Sequence, residues 1–249
     1  MPDDWDAATY DRIADPQARW GATVVGWLNL SGSERVLDAG CGSGRVTERL
    51  LERLPEGRVV ALDGSGSMIE EARRRLAPFG DRVEYVVADL LEPLPVDPRV
   101  DAILSTATFH WVPDHDALFR NLSQVLVPEG QLAGQCGGEG NLLSVERALH
   151  DIGAPGFEGK VYATAETTRD HLEECGFHDV DCWLHEEPTP FGSAEALETF
   201  LATVVLRRHV ESMNGAVARA FLHEVVARLP SLELDYVRLN MRARGRGAR

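Results

Sequence analysis

Three aspartates in the first part of the chain each follow a short apolar run, which is typical of a ligand site. Asp38 follows a Val-Leu pair, Asp63 ends the run at 58–63, and Asp89 comes shortly after the run at 83–87. The carboxyl ends of parallel strands meet at one edge of a sheet, and ligands bind at that edge. We therefore expect the three carboxylates to lie around one ligand.

The glycine-rich loop after Asp38 favours a ligand that carries positive charge. Gly40, Gly42 and Gly44 form the pattern G-x-G-x-G between a predicted strand and a predicted helix, whereas the dinucleotide fingerprint is G-x-G-x-x-G. Backbone amides at the start of a helix attract anions, but a carboxylate at the end of the strand repels a pyrophosphate. A glycine turn that binds nothing is the alternative. Cys41, within the loop, is interpreted as a small packing residue.

The residues after the second and third runs match other parts of a nucleoside. Asp63 lies 23 residues after Gly40, close to the spacing of about 20 at which a carboxylate binds ribose hydroxyls. As an isolated residue, it would equally be a helix N-cap. Met68 lies in the first turn of a predicted helix, where a flexible apolar side chain covers a purine face or packs in the core. Asp89 is placed to accept a hydrogen bond from an adenine amine.

The segment FHW at 109–111 supplies the candidate for acid–base chemistry. His110 is the histidine that the pattern places at the ligand edge. It acts as a general base, donates a hydrogen bond to a carboxylate, or is a structural residue of the loop. Trp111 is interpreted as a wall of the pocket. Tyr236 and Arg238 lie two apart on the last predicted strand, so both point the same way, toward the pocket or toward solvent.

Alternating strands and helices position these residues, which predicts a doubly wound α/β fold with a parallel sheet. The apolar runs predict strands at 35–38, 58–63, 83–87, 100–104, 131–135 and 180–187. Helical patterns lie between or after them at 44–54, 68–76, 115–126, 142–151 and 167–175. After these come two consecutive helices within 193–228, divided near Asn214-Gly215, and a last strand at 232–242.

We expect two helical segments to cover the ligand edge of one domain that spans 1–249. Residues 1–30 carry apolar side chains at helical spacing and predict two short helices separated at Pro16, which form an N-terminal lid. Residues 193–228 form a cap inserted before the last strand. A cap over a pocket excludes water from a reaction.

Composition restricts the partners. The formal net charge of −15 over 249 residues disfavours binding to nucleic acid or to an anionic membrane surface. No apolar run approaches the ~20 residues of a membrane span, and the acidic start does not resemble a signal peptide. Four cysteines without a C-x-x-C pair indicate reduced thiols. We expect a cytoplasmic monomer or homodimer that acts on a small molecule, and we find no metal-type cluster of acids and histidines.

In these motifs the sequence resembles the class I S-adenosylmethionine (SAM)-dependent methyltransferases. The matching segments are VLDAGCGSGRVTERL at 36–50, ALDGSGSMIEEA at 61–72, VEYVVADLLEPLP at 83–95, the stretch at 100–135, and ECGFHDVD at 174–181. Within the class, it is most similar to the trans-aconitate 2-methyltransferase-like group, through segments at 5–20, 109–115 and 234–245. It departs from that group at Trp20, where proline is expected, at His110, where glutamine is frequent, and in the cap.

The resemblance implies a seven-stranded Rossmann-like sheet with an antiparallel last strand, SAM as cofactor and no metal. Asp38 and Gly40 would hold the methionine portion, Asp63 the ribose hydroxyls, and Asp89 the adenine amine. The residues implied to contact SAM are Tyr10, Arg19, Asp38, Gly40, Cys41, Gly42, Asp63, Gly64, Met68, Asp89, Leu90 and Ser105. Those expected to contact the substrate are His110, Trp111 and Tyr236, with His110 also the catalytic candidate.

Three functions are compatible with such a site. The first is methylation of a small molecule at a carboxylate or hydroxyl oxygen, or at carbon. A carboxylate acceptor needs no base, whereas a phenol, an alcohol or a carbon acid does. The second is a SAM-binding cyclase or isomerase that uses the positive sulfur only electrostatically, and the third is a SAM-binding protein without catalysis.

Overall fold

Strands and helices alternate along residues 15–246, the part of the chain that this computed structural model describes. The strands are β1 (Arg35–Ala39), β2 (Arg58–Asp63), β3 (Val83–Val87), β4 (Val100–Thr106), β5 (Leu126–Gly137), β6 (His178–Glu186), β7 (Thr189–Pro190), β8 (Glu233–Leu234) and β9 (Val237–Arg244). The α-helices are α1 (Asp15–Trp27), α2 (Arg45–Glu52), α3 (Gly66–Leu76), α4 (His115–Val125), α5 (Leu143–Asp151), α6 (Ala165–Glu174), α7 (Ala194–Phe200), α8 (Arg207–Val210) and α9 (Gly215–Val226).

Seven of these strands form one sheet in the order β3-β2-β1-β4-β5-β9-β6. Strand β9 runs antiparallel to both of its neighbours, and the other pairs are parallel. The predicted class, a doubly wound Rossmann-like sheet with an antiparallel last strand, is confirmed. Because β1 pairs with both β2 and β4, the strand order reverses there, and ligands bind at such a switch point.

The central strands β1 and β2 are buried on both faces, which explains why they are continuous apolar runs. Successive side chains of a strand point to opposite faces. Val36 accordingly packs in a cluster with α1 and α2, whereas its neighbour Leu37 packs in a cluster with α4 and α6. Both side chains are fully buried. The backbone of such a strand is rigid, so the aspartate at its end has a fixed position.

A third apolar cluster joins the helices outside the sheet. Trp20 of α1 packs there with Leu149 of α5, Phe200 of α7 and Leu222 of α9. A turn of π-helix at Leu201–Val205 joins α7 to the short α8. The segment predicted as two helices is thus divided into more pieces, and its function as a cap, like that of the N-terminal segment as a lid, stays a prediction.

Two predicted boundaries were wrong, and a third is only partly described. Pro16 lies in the first turn of α1, where no intrahelical amide bond is lost, and the helix predicted before it lies outside the described residues. The strand predicted at 131–135 is longer, because β5 also includes residues 126–130, next to a register shift in the β4–β5 pairing. The last predicted strand is two strands, because β8 pairs with β7 in a separate hairpin.

Candidate functional site

A cavity of about 570 Å³ lies where β1, β2, β3 and β4 end. Both the glycine loop after β1 and the acids that follow β2 and β3 contribute to its wall. The predicted residues that line it are Gly40, Cys41, Gly42, Asp63, Gly64, Met68, Asp89, Leu90 and Trp111. Its size lies within the usual range for a small-molecule site, about 300–1,000 Å³.

The glycine loop turns sharply because its backbone takes conformations that side chains resist. Gly40 has φ +84°, and a Cβ at this position would lie 2.1 Å from Oγ1 of Thr108. Its amide donates a hydrogen bond of 2.8 Å to the carbonyl of Leu62, which ties the loop to the end of β2. Glycine at this position thus allows the glycine loop and the segment after β4 to approach each other closely.

Asp63 connects two loops at the edge of the cavity. Its Oδ2 accepts a hydrogen bond of 2.9 Å from the amide of Gly42, and its Oδ1 accepts one of 2.8 Å from the amide of Ser65. Burial raises the pKa of this carboxyl, against the effect of the two amides. The helix N-cap reading of Asp63 is not what the structure shows, since the hydroxyl of Ser65 accepts from the amide of Met68 at the start of α3.

Asp38 precedes the glycine loop, and it is not one of the described residues that line the cavity. Its side chain is 1% exposed, and its Oδ2 accepts a hydrogen bond of 2.6 Å from the hydroxyl of Thr47. The other oxygen, Oδ1, is buried and has no hydrogen-bond partner in the described part of the chain. Burial, with the Asp63 carboxylate nearby, raises the pKa of Asp38 to about 7. A positive charge from a ligand would reverse that shift.

The remaining predicted adenosine contacts combine apolar walls with an acid. Met68 and Leu90 are 7% and 6% exposed and line the cavity beside Asp89. Oδ1 of Asp89 accepts a hydrogen bond of 2.9 Å from the amide of Leu91, which fixes the carboxylate at the end of β3.

Two further residues expected to contact the cofactor lie elsewhere in the described structure. The hydroxyl of Ser105 is fully buried and donates a hydrogen bond of 2.7 Å to the carbonyl of Ala39, because β4 packs beside β1 there. Arg19 is exposed and forms an ion pair of 3.2 Å with Glu187, so it does not line the cavity. Tyr10 lies outside the described residues.

His110 is buried behind the cavity wall and does not line it in the described structure. Its Nδ1 accepts a hydrogen bond of 3.4 Å from the amide of Gly137, and its ring stacks on Tyr162 with centroids 5.9 Å apart. Burial, together with the cations of Lys160 and Arg238, lowers the pKa of His110 well below 6.5. Burial thus favours the neutral form of the imidazole, and the role of His110 as base, hydrogen-bond donor or structural residue stays a prediction.

Tyr236 and Arg238 both point toward Trp20 of α1, as their spacing predicts. The Tyr236 ring contacts Trp20 with centroids 5.1 Å apart, and the Arg238 guanidinium lies 4.5 Å from the Trp20 ring centroid. Of these two side chains only Arg238 lines the cavity, so Tyr236 is a supporting residue rather than a wall.

Sequence reasoning missed several residues of the wall. The sequence does not decide whether the Arg238 side chain points to the pocket or to solvent. In the structure it is only 4% exposed, and its Nε donates a hydrogen bond of 3.4 Å to the side-chain oxygen of Gln135. Arg208, in α8, was not recognised because its segment carries no motif. The close pairing of Gly40 with Thr108 also has no signal in a single sequence.

Within the described residues, one group of side chains that could ligate a metal lies elsewhere. Asp116, His171 and Glu174 place one ligand atom each within 4.8 Å of one another, and Nδ1 of His171 lies 2.5 Å from Oδ1 of Asp116. Asp116 belongs to α4 and the other two to α6, so the sequence pattern does not show that they meet. None of the three lines the cavity.

Comparisons with known proteins identify the class to which this fold and cavity belong. A family model described as a methyltransferase domain matches residues 36–130. A trans-aconitate 2-methyltransferase of Methylobacterium nodulans is 35% identical over 181 residues, which cover 73% of this chain and 67% of the relative. One from Variovorax paradoxus is 28% identical, over 91% of this chain and 89% of the relative.

The solved structure of the [4+2]-cyclase SpnF superimposes with a TM-score of 0.63 at 18% identity, covering 93% of this chain and 81% of that one. A likeness of this kind shows the fold alone. The sequence identity to the Methylobacterium relative shows the family. The chain belongs to the class I SAM-dependent methyltransferases, in the group of the trans-aconitate 2-methyltransferases. It is accordingly an enzyme that transfers a methyl group from SAM. None of the described helices is both long and apolar enough to cross a membrane.

Proposed function

We propose that this enzyme methylates a carboxylate oxygen of a small, multiply charged organic acid. The observation that carries the proposal is the charge distribution in one cavity. Acids on the loops after β2 and β3 line it together with Arg208 of α8 and Arg238 of β9. Relatives named trans-aconitate 2-methyltransferases support the same acceptor class.

The residues at the strand ends fit SAM as the cofactor. The uncompensated Oδ1 of Asp38 lies close to the loop where the cationic end of SAM would lie. Asp63 and Asp89 present carboxylates for ribose hydroxyls and the adenine amine. Met68 and Leu90 provide apolar surface for the base. When bound, SAM supplies a methyl group on a positively charged sulfur.

The arginines are suited to holding the acceptor. A guanidinium binds a carboxylate through two parallel hydrogen bonds, which fixes the orientation of the acid as well as its position. Arg238 is buried against Trp20, so its guanidinium keeps a defined direction. Orientation is the main contribution that the protein makes to an in-line displacement.

The position of His110, outside the cavity wall, favours a carboxylate over a hydroxyl acceptor. Methylation of a carboxylate oxygen forms one C–O bond and breaks the C–S bond, with the electron pair leaving on sulfur and no proton transferred. A hydroxyl or carbon acceptor must lose a proton to a base. His110, the candidate for that base, is buried away from the cavity and hydrogen-bonded to the amide of Gly137.

The test is transfer of labelled methyl from SAM to a panel of acids and phenols. Trans-aconitate, cis-aconitate, citrate and simple phenols are incubated with the enzyme, and products are separated and treated with mild alkali. We expect label in an acid, released as methanol by alkali because the product is an ester. Label in an alkali-stable product would contradict carboxylate transfer, and the absence of transfer to every acid would contradict the proposed acceptor class.

A further inference from the structure

A second cavity, of about 440 Å³, lies beside the first. Trp111 and Arg208 line both cavities, so the two meet at these side chains. The rest of the second cavity comes from the loop at 154–160, from the segment at 204–213, which includes α8, and from Phe221 of α9. Its apolar wall consists of Phe157, Val204, Val205, Met213 and Phe221.

The only lysine of the 249-residue sequence, Lys160, lies in the wall of this cavity. Its Nζ lies 4.5 Å from the ring centroid of Trp111 and 4.2 Å from that of Phe157. The guanidinium of Arg208 lies 5.0 Å from the same Trp111 centroid. Two cations thus converge on the indole that separates the cavities.

The ammonium of Lys160 lacks an anionic partner among the described residues. It forms no ion pair or side-chain hydrogen bond with any described residue, although an ammonium carries three donors. Two carboxylates also line the cavity, but Glu211 lies 3.9 Å from Arg207 and Glu158 is exposed at the rim. Burial, with the Arg208 cation nearby, lowers the pKa of Lys160 to about 8. Aromatic contacts offset part of the desolvation, and an anion would offset the rest.

We propose that the second cavity binds the distal arm of the acceptor, with Lys160 as the counter-ion of a second carboxylate at the end of an apolar spacer. This inference rests on the proposed function, since it assumes that the reacting carboxylate lies in the first cavity. The acceptor class is then an elongated acid with two carboxylates. Trp111 lies along the spacer, and Arg208 lies between the two charged ends.

The first test compares straight-chain acids in matched pairs with the same number of carbons: adipate with hexanoate, suberate with octanoate, and sebacate with decanoate. We expect kcat/KM for methyl transfer to be at least about tenfold higher for the diacid of the best-fitting pair, the effect of one charge-assisted hydrogen bond. Lys160→Met should remove the preference while leaving the monoacid rate, and Lys160→Arg should keep it. Arg219→Met, which removes an exposed cation of α9 outside both cavities, should leave it intact.

The second test does not depend on turnover. Because the sequence has one lysine, an amine-acetylating reagent modifies Lys160 and the terminal amine, and peptide mass spectrometry measures each. We expect suberate, but not octanoate, to slow modification of Lys160 at least about fivefold, without an effect on the terminal amine. Calorimetric titration with SAM checks that each variant keeps its cofactor site.

The two measurements separate the possible failures. Methylation of the acids without a diacid preference, or with a preference that Lys160→Met leaves unchanged, would overturn the distal-arm proposal and leave the proposed function standing. Protection of Lys160 by suberate without methylation of any acid would overturn the proposed function. The cavity would then be an anion site that does not serve an acceptor.

Discussion

The amide of Gly42 donates a 2.9 Å hydrogen bond to Oδ2 of Asp63, which joins the glycine loop after β1 to the end of β2. The carboxylate implied to bind ribose therefore also holds the loop implied to carry the methionine end of SAM. A second amide, from Ser65, occupies its other oxygen. The side chain has both a binding and a structural function, so its replacement affects both.

Asp63→Ala is expected to weaken SAM binding and to destabilise the fold. Loss of hydrogen bonds from a carboxylate to ribose would lower SAM affinity at least about tenfold, at roughly 1.5–3 kcal/mol for each such bond. Loss of the two amide bonds would lower the free energy of unfolding by about 1–3 kcal/mol. Titration calorimetry measures the first effect and urea denaturation the second.

Asp101→Ala is the matched control for this change. Its carboxylate also accepts a backbone hydrogen bond, from the amide of Arg35 at 2.8 Å, but it does not line the cavity. We expect a comparable loss of stability per bond and unchanged SAM affinity. Unchanged affinity in Asp63→Ala would contradict the ribose role.

The position of β2 was predictable because burial on both faces leaves a continuous apolar run at 58–63. The run at 83–87 also coincides with β3, although this strand at the edge of the sheet is only partly buried. The acids associated with the two runs, Asp63 and Asp89, line the cavity. The helices between residues 194 and 226 were less predictable. Their apolar residues pack against several partners at once, so no single helical face is marked, and a π-helical turn interrupts the period.

The site was predicted in part, for a related reason. A motif shows which residue type follows a strand, but not what surrounds it. Ser105 donates to the carbonyl of Ala39 and His110 stacks on Tyr162, and both contacts join segments that are distant in sequence. Besides Arg45, which follows the glycine loop, the cavity is lined by Arg208 and Arg238. The elements that carry these two arginines have no recognised motif, so only the folded chain brings them to the cofactor edge.

SAM binding is expected to release a proton near neutral pH. The pKa of Asp38 is raised from 3.8 to about 7 in the fold, so between these values the folded chain binds more protons than the unfolded one. Stability from this group is therefore lost as pH rises through that window. A cation near the loop favours the ionised form, so SAM affinity should rise with pH up to about 7 and then level off.

Calorimetry in buffers of different ionisation enthalpy measures the protons released per SAM bound. Asp38→Asn should bind SAM more weakly, with a smaller proton release and a flatter dependence on pH. The pKa of Asp63 is also raised, and the part of the release that survives in Asp38→Asn is assigned to that group. An unchanged release in the variant would contradict the role of Asp38.

His110→Gln is expected to retain most of the activity toward a carboxylate acceptor. The neutral imidazole accepts from the amide of Gly137, and a glutamine oxygen supplies the same type of acceptor. We expect kcat/KM to fall less than about tenfold, whereas loss of a general base costs about 10²–10⁴. The pH–rate profile should lack a limb from a base in both forms. A fall in kcat/KM of about 10²–10⁴-fold would instead indicate that His110 acts as a general base.

Arg238→Met is expected to raise the KM for the acceptor at least about tenfold, with a much smaller effect on SAM affinity, because it removes a charge-assisted contact to a carboxylate. Methionine keeps an apolar side chain beside Trp20. Arg242→Met is the control, since Arg242 lies on the same strand and forms an exposed ion pair of 2.5 Å with Asp181. Steady-state kinetics with both substrates varied separates the two constants. Equal KM changes in both variants would remove Arg238 from acceptor binding.

Gly40→Ala and Gly42→Ala form a pair in which one feature differs. Both glycines have positive φ, +84° and +53°, so alanine is strained at either position, by about 1 kcal/mol. A Cβ at Gly40 would lie 2.1 Å from Oγ1 of Thr108, whereas no atom lies within 4 Å of a Cβ at Gly42. We therefore expect Gly40→Ala to lower the free energy of unfolding by clearly more than Gly42→Ala, measured by urea denaturation.

Adding Thr108→Ala to Gly40→Ala, which removes the clashing Oγ1, should restore much of the difference in stability. Equal destabilisation by the two alanines would show that backbone strain alone, and not the close approach of Thr108, requires glycine in this loop.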